Sequence, residues 1–227
     1  VTDTLAFRME APSTIGTKNN ATITIGTLTI PWWVGYADQT KEIKAFSTSI
    51  AYSAGLGGLG GGDLKCSARA AASPYGLSGS YIFLASNSTI DAVNRIPWNW
   101  GTMKTLNGTT VVSGGITDLF DGSLANPINV TELGTTNTDY AWTGSVATGT
   151  RDPGSGNLCA DYSAYSDRTM IGNTGATGTA WIALQTSYCD SRVLYCVENI
   201  DDTTDAVPNV FYPKYKIQVP INTRVQS

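Results

Sequence analysis

Apolar residues and threonines alternate along the first part of the chain, over residues 21–30. Alternation with a period of two is the pattern of a half-buried β-strand. The apolar phase slips across Gly26, and a glycine at such a slip indicates a β-bulge. Pro31-Trp32-Trp33 closes the segment, so the pattern predicts a strand-rich extension over residues 1–41.

The last part of the chain shows a similar alternation. Four apolar residues alternate with polar residues and one proline over residues 215–221. Because proline cannot donate a hydrogen bond to a neighbouring strand, this run is predicted to form an edge strand or a strand laid on another surface. The acidic stretch 201–205 is typical of a solvated linker. Residues 201–227 are therefore predicted to be a linker followed by a strand extension.

Between the two extensions, the pattern predicts short elements of both types. A glycine-dense stretch over residues 55–62 precedes a predicted helix over residues 63–72, with Asp63 as its N-cap and Gly76 at its end. Residues 98–157 are rich in turn dipeptides and are predicted to be mostly loop. The other predicted elements are strands over residues 43–50, 81–85, 181–184 and 193–197, and a short helix over residues 88–95.

Charge and composition exclude several classes of protein. The chain of 227 residues has 14 lysines and arginines, 18 aspartates and glutamates, and no histidine. Without histidine there is no Ser-His-Asp or Cys-His catalytic unit and no imidazole metal ligand. A net charge of −4 argues against a nucleic-acid partner, which requires a basic surface to replace phosphate counterions. No apolar run reaches the roughly 18 residues that a membrane span needs, so none is predicted.

The four cysteines, Cys66, Cys159, Cys189 and Cys196, form an even set with no Cys-x-x-Cys motif. In a chain rich in threonine, glycine and serine, two disulfides are the favoured interpretation and unpaired thiols the alternative. Disulfides persist in oxidising compartments, so the protein is predicted to be secreted or displayed at the cell surface. Four cysteines allow three pairings, and the spacing leaves all three open.

The segment from Gly55 to Gly60 matches the Gly-x-Gly-x-x-Gly motif of dinucleotide-binding folds. Such a site also needs an acidic residue at the end of the next strand, inside a series of alternating strands and helices. The sequence has neither. The glycines are therefore interpreted as a structural hinge.

Six carboxylates are candidates for acid–base catalysis or for calcium binding. Most stand beside Gly, Asn, Thr or Pro, where an aspartate commonly caps its own turn. Nothing in their spacing brings two together across a scissile bond, as a glycosidase requires, and the EF-hand calcium pattern is absent. Turn capping is the favoured interpretation, and the protein is predicted not to be an enzyme. The six are Asp118, Asp121, Glu132, Asp139, Asp152 and Asp161.

Tryptophans supply candidate contact sites. Trp32 and Trp33 are adjacent, so one of them would face outward from a strand and offer a stacking platform for a glycan or a contact to another copy. Trp98 and Trp100 are further candidates for a ligand or subunit contact. The two remaining tryptophans, Trp142 and Trp181, are assigned to the core.

The N-glycosylation pattern Asn-x-Ser/Thr occurs at Asn20, Asn87, Asn107 and Asn129. In a chain this rich in Asn and Thr, chance matches are expected. The four asparagines are candidate modification sites, and they are without consequence in an organism that lacks this modification.

Several segments of the chain resemble a known family. They are, in order, residues 56–66 with the alanine-rich helix and Gly79-Ser80-Tyr81 after them, residues 121–128, 141–144, 157–159 and 194–198. Together they are similar to a bacterial surface-protein domain of unknown function with a C-type-lectin-like, endostatin-related fold. The similarity covers residues 42–200. It implies an α+β module with a small twisted antiparallel sheet, two helices and a long loop region.

The resemblance also implies a disulfide pairing, Cys66 with Cys196 and Cys159 with Cys189. The calcium-dependent sugar-binding members of this fold carry a Trp-Asn-Asp triplet before the third cysteine and an acidic residue before a proline in the long loop. Here no Asn-Asp follows Trp181, and no acidic residue precedes Pro127. The usual Ca²⁺ site is therefore expected to be missing. No cofactor is predicted, and calcium is the alternative that the usual motif does not support.

These observations predict three segments, an N-terminal β-rich extension (1–41), a C-type-lectin-like domain (42–200) and a C-terminal linker with a strand (201–227). Only 14% of the residues are charged, and both extensions have strand patterns. This combination favours an extracellular structural protein whose partners are other copies of itself, such as a subunit of a surface filament. The alternative is a cell-surface adhesin or lectin-like module that binds glycan or protein through residues 98–157.

Overall fold

The structure is a computed structural model that describes residues 18–25, 28–35, 40–155, 158–165 and 167–200. The chain divides into two compact units. The smaller unit contains the strands within residues 18–35. The larger unit, called the body below, contains the described residues from 40 to 200.

The smaller unit contains a β-hairpin. Strands β1 (Lys18–Ile25) and β2 (Leu28–Gly35) pair antiparallel, from Ile25 opposite Leu28 to Lys18 opposite Gly35. The predicted single strand with a bulge at Gly26 is therefore wrong, because the slip in the apolar phase separates two strands. Pro31 does not close the segment either, since it lies within β2 opposite Thr22.

In the body, the described residues form one mixed sheet. Its strand order is β10-β9-β8-β11-β3-β6-β7, and β4 and β5 also pair with β11. The β11–β8 and β3–β6 pairs are parallel and the others antiparallel. With its few helices, the body has an α+β fold, as expected. The small antiparallel sheet that the resemblance implies is wrong, because the sheet has nine strands and two of its pairs are parallel. The strands are β3 (Glu42–Ser47), β4 (Tyr52–Ser53), β5 (Ser80–Phe83), β6 (Thr102–Thr105), β7 (Thr110–Val112), β8 (Tyr140–Trp142), β9 (Arg168–Asn173), β10 (Gln185–Tyr188) and β11 (Ser191–Asn199).

Strand β11 lies at the centre of the body and is buried on both faces. Val193, Tyr195 and Val197 belong to one apolar cluster, whereas Leu194 and Cys196 belong to a second cluster. This division follows from the strand geometry, because successive side chains point to opposite faces of a sheet. A run that is apolar at every position is expected of such a strand.

The long helix α1 (Gly58–Ala71) begins five residues before the predicted start at Asp63. Its N-cap is Gly57, whose φ of 86° lies in the left-handed region that favours glycine. Asp63 is inside the helix, and its Oδ1 accepts a hydrogen bond from the Phe83 N–H at 2.7 Å. The N-cap prediction is therefore wrong. Gly62 has a packing role, since a Cβ there would lie 2.3 Å from the Phe83 ring.

The remaining predictions have mixed outcomes. The predicted helix over residues 88–95 is only a 3₁₀ turn, Ala92–Asn94. The predicted strand over residues 181–184 is wrong, because Trp181 ends a second 3₁₀ turn, Thr179–Trp181, and β10 starts later. Residues 98–155 are not all loop, since they contain β6, β7, β8 and a short helix α2 (Gly115–Leu119).

A left-handed turn spans Leu158–Tyr162. All five residues have φ between 50° and 64°, and none is glycine. Left-handed backbone costs an L-residue about 1–2 kcal/mol, so the surrounding structure must hold this turn in place. The Asp161 carboxylate accepts hydrogen bonds from the N–H and the hydroxyl of Ser88, and the Tyr162 carbonyl accepts one from the Leu56 N–H.

Two disulfides connect distant parts of the body. Cys66 in α1 is bonded to Cys196 in β11, and Cys159 in the left-handed turn is bonded to Cys189. This is the pairing that the resemblance implies. None of the helices in the described residues combines the length and the hydropathy that crossing a membrane requires.

Candidate interaction surface

The outer side of α1 exposes apolar residues to solvent. Leu64 is 73% exposed, and Ala68 and Ala71 are exposed as well. Positions 64, 68 and 71 lie on one side of a helix, because side chains three and four residues apart are neighbours. Tyr75, just after the helix, is 46% exposed. The solvent side of a surface helix is ordinarily polar, so this side is unusual.

Two loop residues extend this apolar region. Ile50 is 46% exposed and Leu133 is 50% exposed. Ser49 and Glu132, the residues before Ile50 and Leu133, are bonded to each other, since the Ser49 N–H donates to the Glu132 carboxylate at 2.8 Å. The Glu132 carbonyl accepts from the hydroxyl of Ser73, just after α1, at 2.7 Å. We call the set formed by Ile50, Leu64, Ala68, Tyr75 and Leu133 the α1 surface.

A salt bridge between Arg69 and Glu132 lies beneath the α1 surface. The carboxylate of Glu132 is fully buried, and the guanidinium of Arg69 pairs with it. The Ser49 hydroxyl donates to the same carboxylate at 2.5 Å. A buried carboxylate needs such partners, because an unpaired charge in the interior is costly. The pair neutralises both charges and fixes the loop that carries Leu133 against α1.

Tyr52 and Lys65 stand at the edge of the α1 surface. The Lys65 ammonium lies 5.8 Å from the centroid of the Tyr52 ring. Burial raises the pKa of the Tyr52 phenol above its ordinary value, the Arg69 guanidinium opposes this rise, and the Glu132 carboxylate adds to it. The phenol therefore stays neutral near neutral pH, and Lys65 is the exposed charged residue on this side of α1.

The structure places the predicted tryptophans in different environments. Trp32 and Trp33 lie in β2, opposite Ala21 and Asn20. Trp98 is half-buried. Trp100 is fully buried in the core, and its indole N–H donates to the Pro97 carbonyl at 2.5 Å. Trp100 is thus a packing residue, not a surface contact, because its ring fills the apolar cluster on one face of the sheet.

The core assignment of the two other tryptophans is confirmed. Trp142 and Trp181 are both fully buried. They lie in different apolar clusters, on opposite faces of the sheet.

The candidate carboxylates lie in separate parts of the body, and Asp139 is exposed. Asp118 accepts from the N–H groups of residues 113 and 114, Asp121 from that of residue 123, and Asp152 from that of residue 154. Asp161 holds the left-handed turn, and Glu132 pairs with Arg69. Turn capping is confirmed for Asp121 and Asp152, whereas Asp118 lies in α2 and accepts from the N–H groups just before that helix. Within the described ranges, no group of three or more His, Cys, Asp or Glu side chains is placed to hold a metal ion.

The four glycosylation motifs also differ in their surroundings. Asn107 is exposed in the turn between β6 and β7, whereas Asn87 is half-buried and its Oδ1 accepts three hydrogen bonds from residues 89 and 90. Asn129 is half-buried, and the threonine of its motif, Thr131, is buried. Asn20 lies in β1. Asn107 is therefore the most accessible of the three in the body.

The α1 surface was missed from the sequence, although one signal for it exists. Leu64, Ala68 and Ala71 follow the spacing of one helix face, and no charged residue interrupts that spacing. The contributions of Ile50 and Leu133 depend on the Arg69–Glu132 pair, which joins residues 63 positions apart. No local pattern marks such a contact.

No protein-family profile matches the chain, and no curated protein matches it in sequence. The family that the sequence resembles therefore stays a prediction.

Proposed function

We propose that the protein is a non-enzymatic, extracellular structural protein that assembles into a surface filament or similar fibre through its strand-like terminal extensions. The β1–β2 hairpin is the observation that carries this proposal. Its register places Ile23 opposite Ile30 and Ile25 opposite Leu28. Alternate positions of a strand share one face, so these four apolar positions lie on one face of the hairpin.

A hairpin of this kind needs a partner surface. A two-stranded hairpin is marginally stable in water, and it needs further strands or packing against another element. Among the described residues, no third strand pairs with β1 or β2. When a partner surface belongs to a neighbouring copy, the contact is head-to-tail, and repetition of such a contact produces an open filament. The two disulfides support an oxidising, extracellular setting.

The test is assembly of the full chain, followed by light scattering and electron microscopy. We expect filaments from the natural sequence, and only small particles from Ile23→Lys, which places a charge on the apolar face. Thr24→Lys is the matched control, because position 24 lies on the opposite face and should tolerate the charge.

A chain that stays monomeric at all concentrations would contradict the proposal. So would equal assembly of the Ile23→Lys and Thr24→Lys variants, because assembly would then be independent of the apolar face. Both substitutions are made in the full chain.

A second function, adhesion through residues 98–157, is supported by one exposed aromatic residue. Tyr140 is 44% exposed, and the Arg192 guanidinium carbon lies 5.8 Å from its ring centroid. A tyrosine face beside an arginine suits stacking on a sugar ring with a polar contact at its edge. A glycan array with and without chelator tests this function. Binding that is lost in Tyr140→Ala but kept in Tyr165→Ala would support it, and no binding in either condition would leave only protein ligands.

A further inference from the structure

The α1 surface concentrates exposed apolar side chains. Among the described residues, nine large apolar or tyrosine side chains are exposed, and four of them, Ile50, Leu64, Tyr75 and Leu133, lie on this surface. Scattered exposed apolar residues are normal, whereas a cluster marks a place where another surface binds. Arg69 and Glu132 are paired with each other beneath the cluster. An uncharged, apolar partner therefore suits the cluster best.

The end of the body lies close to α1. Strand β11 ends at Asn199, which is paired with Ser80, and the next residue of β5, Tyr81, donates its N–H to the Ser67 hydroxyl of α1 at 2.9 Å. A further 27 residues of the sequence follow Ile200. The chain therefore leaves the body beside the helix that carries the apolar surface.

The sequence after residue 200 supplies a segment of matching chemistry. Tyr215, Ile217, Val219 and Ile221 alternate with polar residues and Pro220. An extended segment with this pattern has one apolar side, and the proline makes a central position in a sheet unfavourable. Such a segment suits a position on an apolar helix face.

The connection is long enough to reach another molecule. Residues 201–214 can span up to about 50 Å when extended, whereas the 14 residues of α1 are about 21 Å long. The same reach would let the segment cover Leu64 of its own chain or of a neighbouring copy, and the head-to-tail contact of the proposed function requires the neighbouring copy.

We infer that the α1 surface is the docking site for residues 215–221 of a second copy of this chain. The inference rests on the proposed function, because it names one of the two contacts between neighbouring copies. Each copy then carries one donor segment and one acceptor surface, which is the arrangement that allows an open series of contacts.

Cross-linking tests the contact directly. A photo-activatable residue replaces Ile217 in the full chain, and this chain is mixed with an isotopically heavy copy before irradiation. We expect cross-linked peptides that join the light residue 217 to heavy α1 residues between Leu64 and Tyr75. The same replacement at Gln218, on the other side of the segment, should give far fewer of these cross-links.

A second measurement uses the concentration needed for assembly, determined by sedimentation. Leu64→Lys is expected to raise that concentration at least tenfold. The matched control Leu184→Lys, a leucine that is 38% exposed elsewhere on the body, should leave it unchanged. Both side chains are accessible to solvent, so both variants are expected to fold, and near-ultraviolet circular dichroism checks this.

The outcomes separate this inference from the proposed function. If the natural chain assembles and Leu64→Lys assembles as readily as Leu184→Lys, the docking site is wrong and the proposed function stands. Cross-links found only within one chain would overturn the assignment to a second copy. A natural chain that stays monomeric would overturn both.

Discussion

The guanidinium of Arg69 in α1 pairs with the fully buried carboxylate of Glu132, which lies 63 residues later in the chain. Removal of the arginine leaves a buried charge without its counter-ion, which typically costs 3–5 kcal/mol. We expect Arg69→Met to lower the free energy of unfolding by about 3 kcal/mol, measured by denaturant unfolding. The double variant Arg69→Met/Glu132→Gln should recover much of this loss, because no buried charge remains.

An exposed ion pair provides the control. Lys104 and Glu42 also form a salt bridge, but the Glu42 side chain is 43% exposed. Exposed pairs contribute about 0–1 kcal/mol, so Lys104→Met should change stability by less than about 1 kcal/mol. Similar losses in Arg69→Met and Lys104→Met would show that burial of the Glu132 carboxylate does not decide the cost.

Two glycines of α1 should respond to alanine in opposite directions. A Cβ at Gly62 would lie 2.3 Å from the Phe83 ring, whereas a Cβ at Gly60 would meet nothing within 4 Å. We expect Gly62→Ala to destabilise the protein by about 1–3 kcal/mol through overpacking. Gly60→Ala should stabilise it by up to about 1 kcal/mol, because alanine has the higher helix propensity. Thermal unfolding of both variants checks the signs, and a stabilised Gly62→Ala would contradict the close packing.

The left-handed turn gives a prediction at Ala160, whose φ is 50°. Because glycine adopts this backbone conformation without the steric cost that alanine has, Ala160→Gly should raise the free energy of unfolding by about 1 kcal/mol. The control is Ala68→Gly in the right-handed helix α1, which should lower it by about 1 kcal/mol. Denaturant unfolding measures both, and a loss of stability in Ala160→Gly would argue against the left-handed turn.

Alkaline pH should unfold the protein as its buried tyrosines ionise. Burial raises the pKa of the Tyr81, Tyr162 and Tyr195 phenols above the ordinary value of 10.0. Since these pKa values are higher in the folded state, the associated stability is complete below about pH 10 and is lost as the pH rises above it. Phenolate absorbance and circular dichroism, recorded together, should show these three tyrosines ionising only as the fold is lost.

The chain in denaturant is the reference for this titration, because all 11 tyrosines are then accessible. Full ionisation of the native protein with an unchanged circular dichroism spectrum would contradict the burial of these three phenols.

How far the sequence predicts this structure depends on whether a feature is local. The core positions of Trp142 and Trp181 and the turn-capping aspartates follow from nearby residues, whereas the α+β class was implied by the resemblance. The start of α1 does not, because Asp63 bonds to β5 instead of capping the helix, and Gly62 is needed for close contact with Phe83.

The α1 surface depends on contacts between residues that are far apart in the sequence. Glu132 is one of several acidic residues in the turn-rich segment, and only the fold brings Arg69 to it. The disulfide pairing came from the resemblance, since the spacing of four cysteines leaves three alternatives open. Gly26 shows a different difficulty, because a shift in the apolar phase is compatible with both a bulge and a hairpin turn.

The Cys66–Cys196 bond determines how the body would respond to a pulling force. The chain enters the body at β3 and leaves it after β11, so tension applied through the two extensions acts on the residues before Cys66 and after Cys196. The covalent bond transmits that load directly from Cys66 to Cys196. The chain between these cysteines, including the turn-rich segment, is therefore mechanically shielded, and stretching extends only the residues before Cys66 and after Cys196.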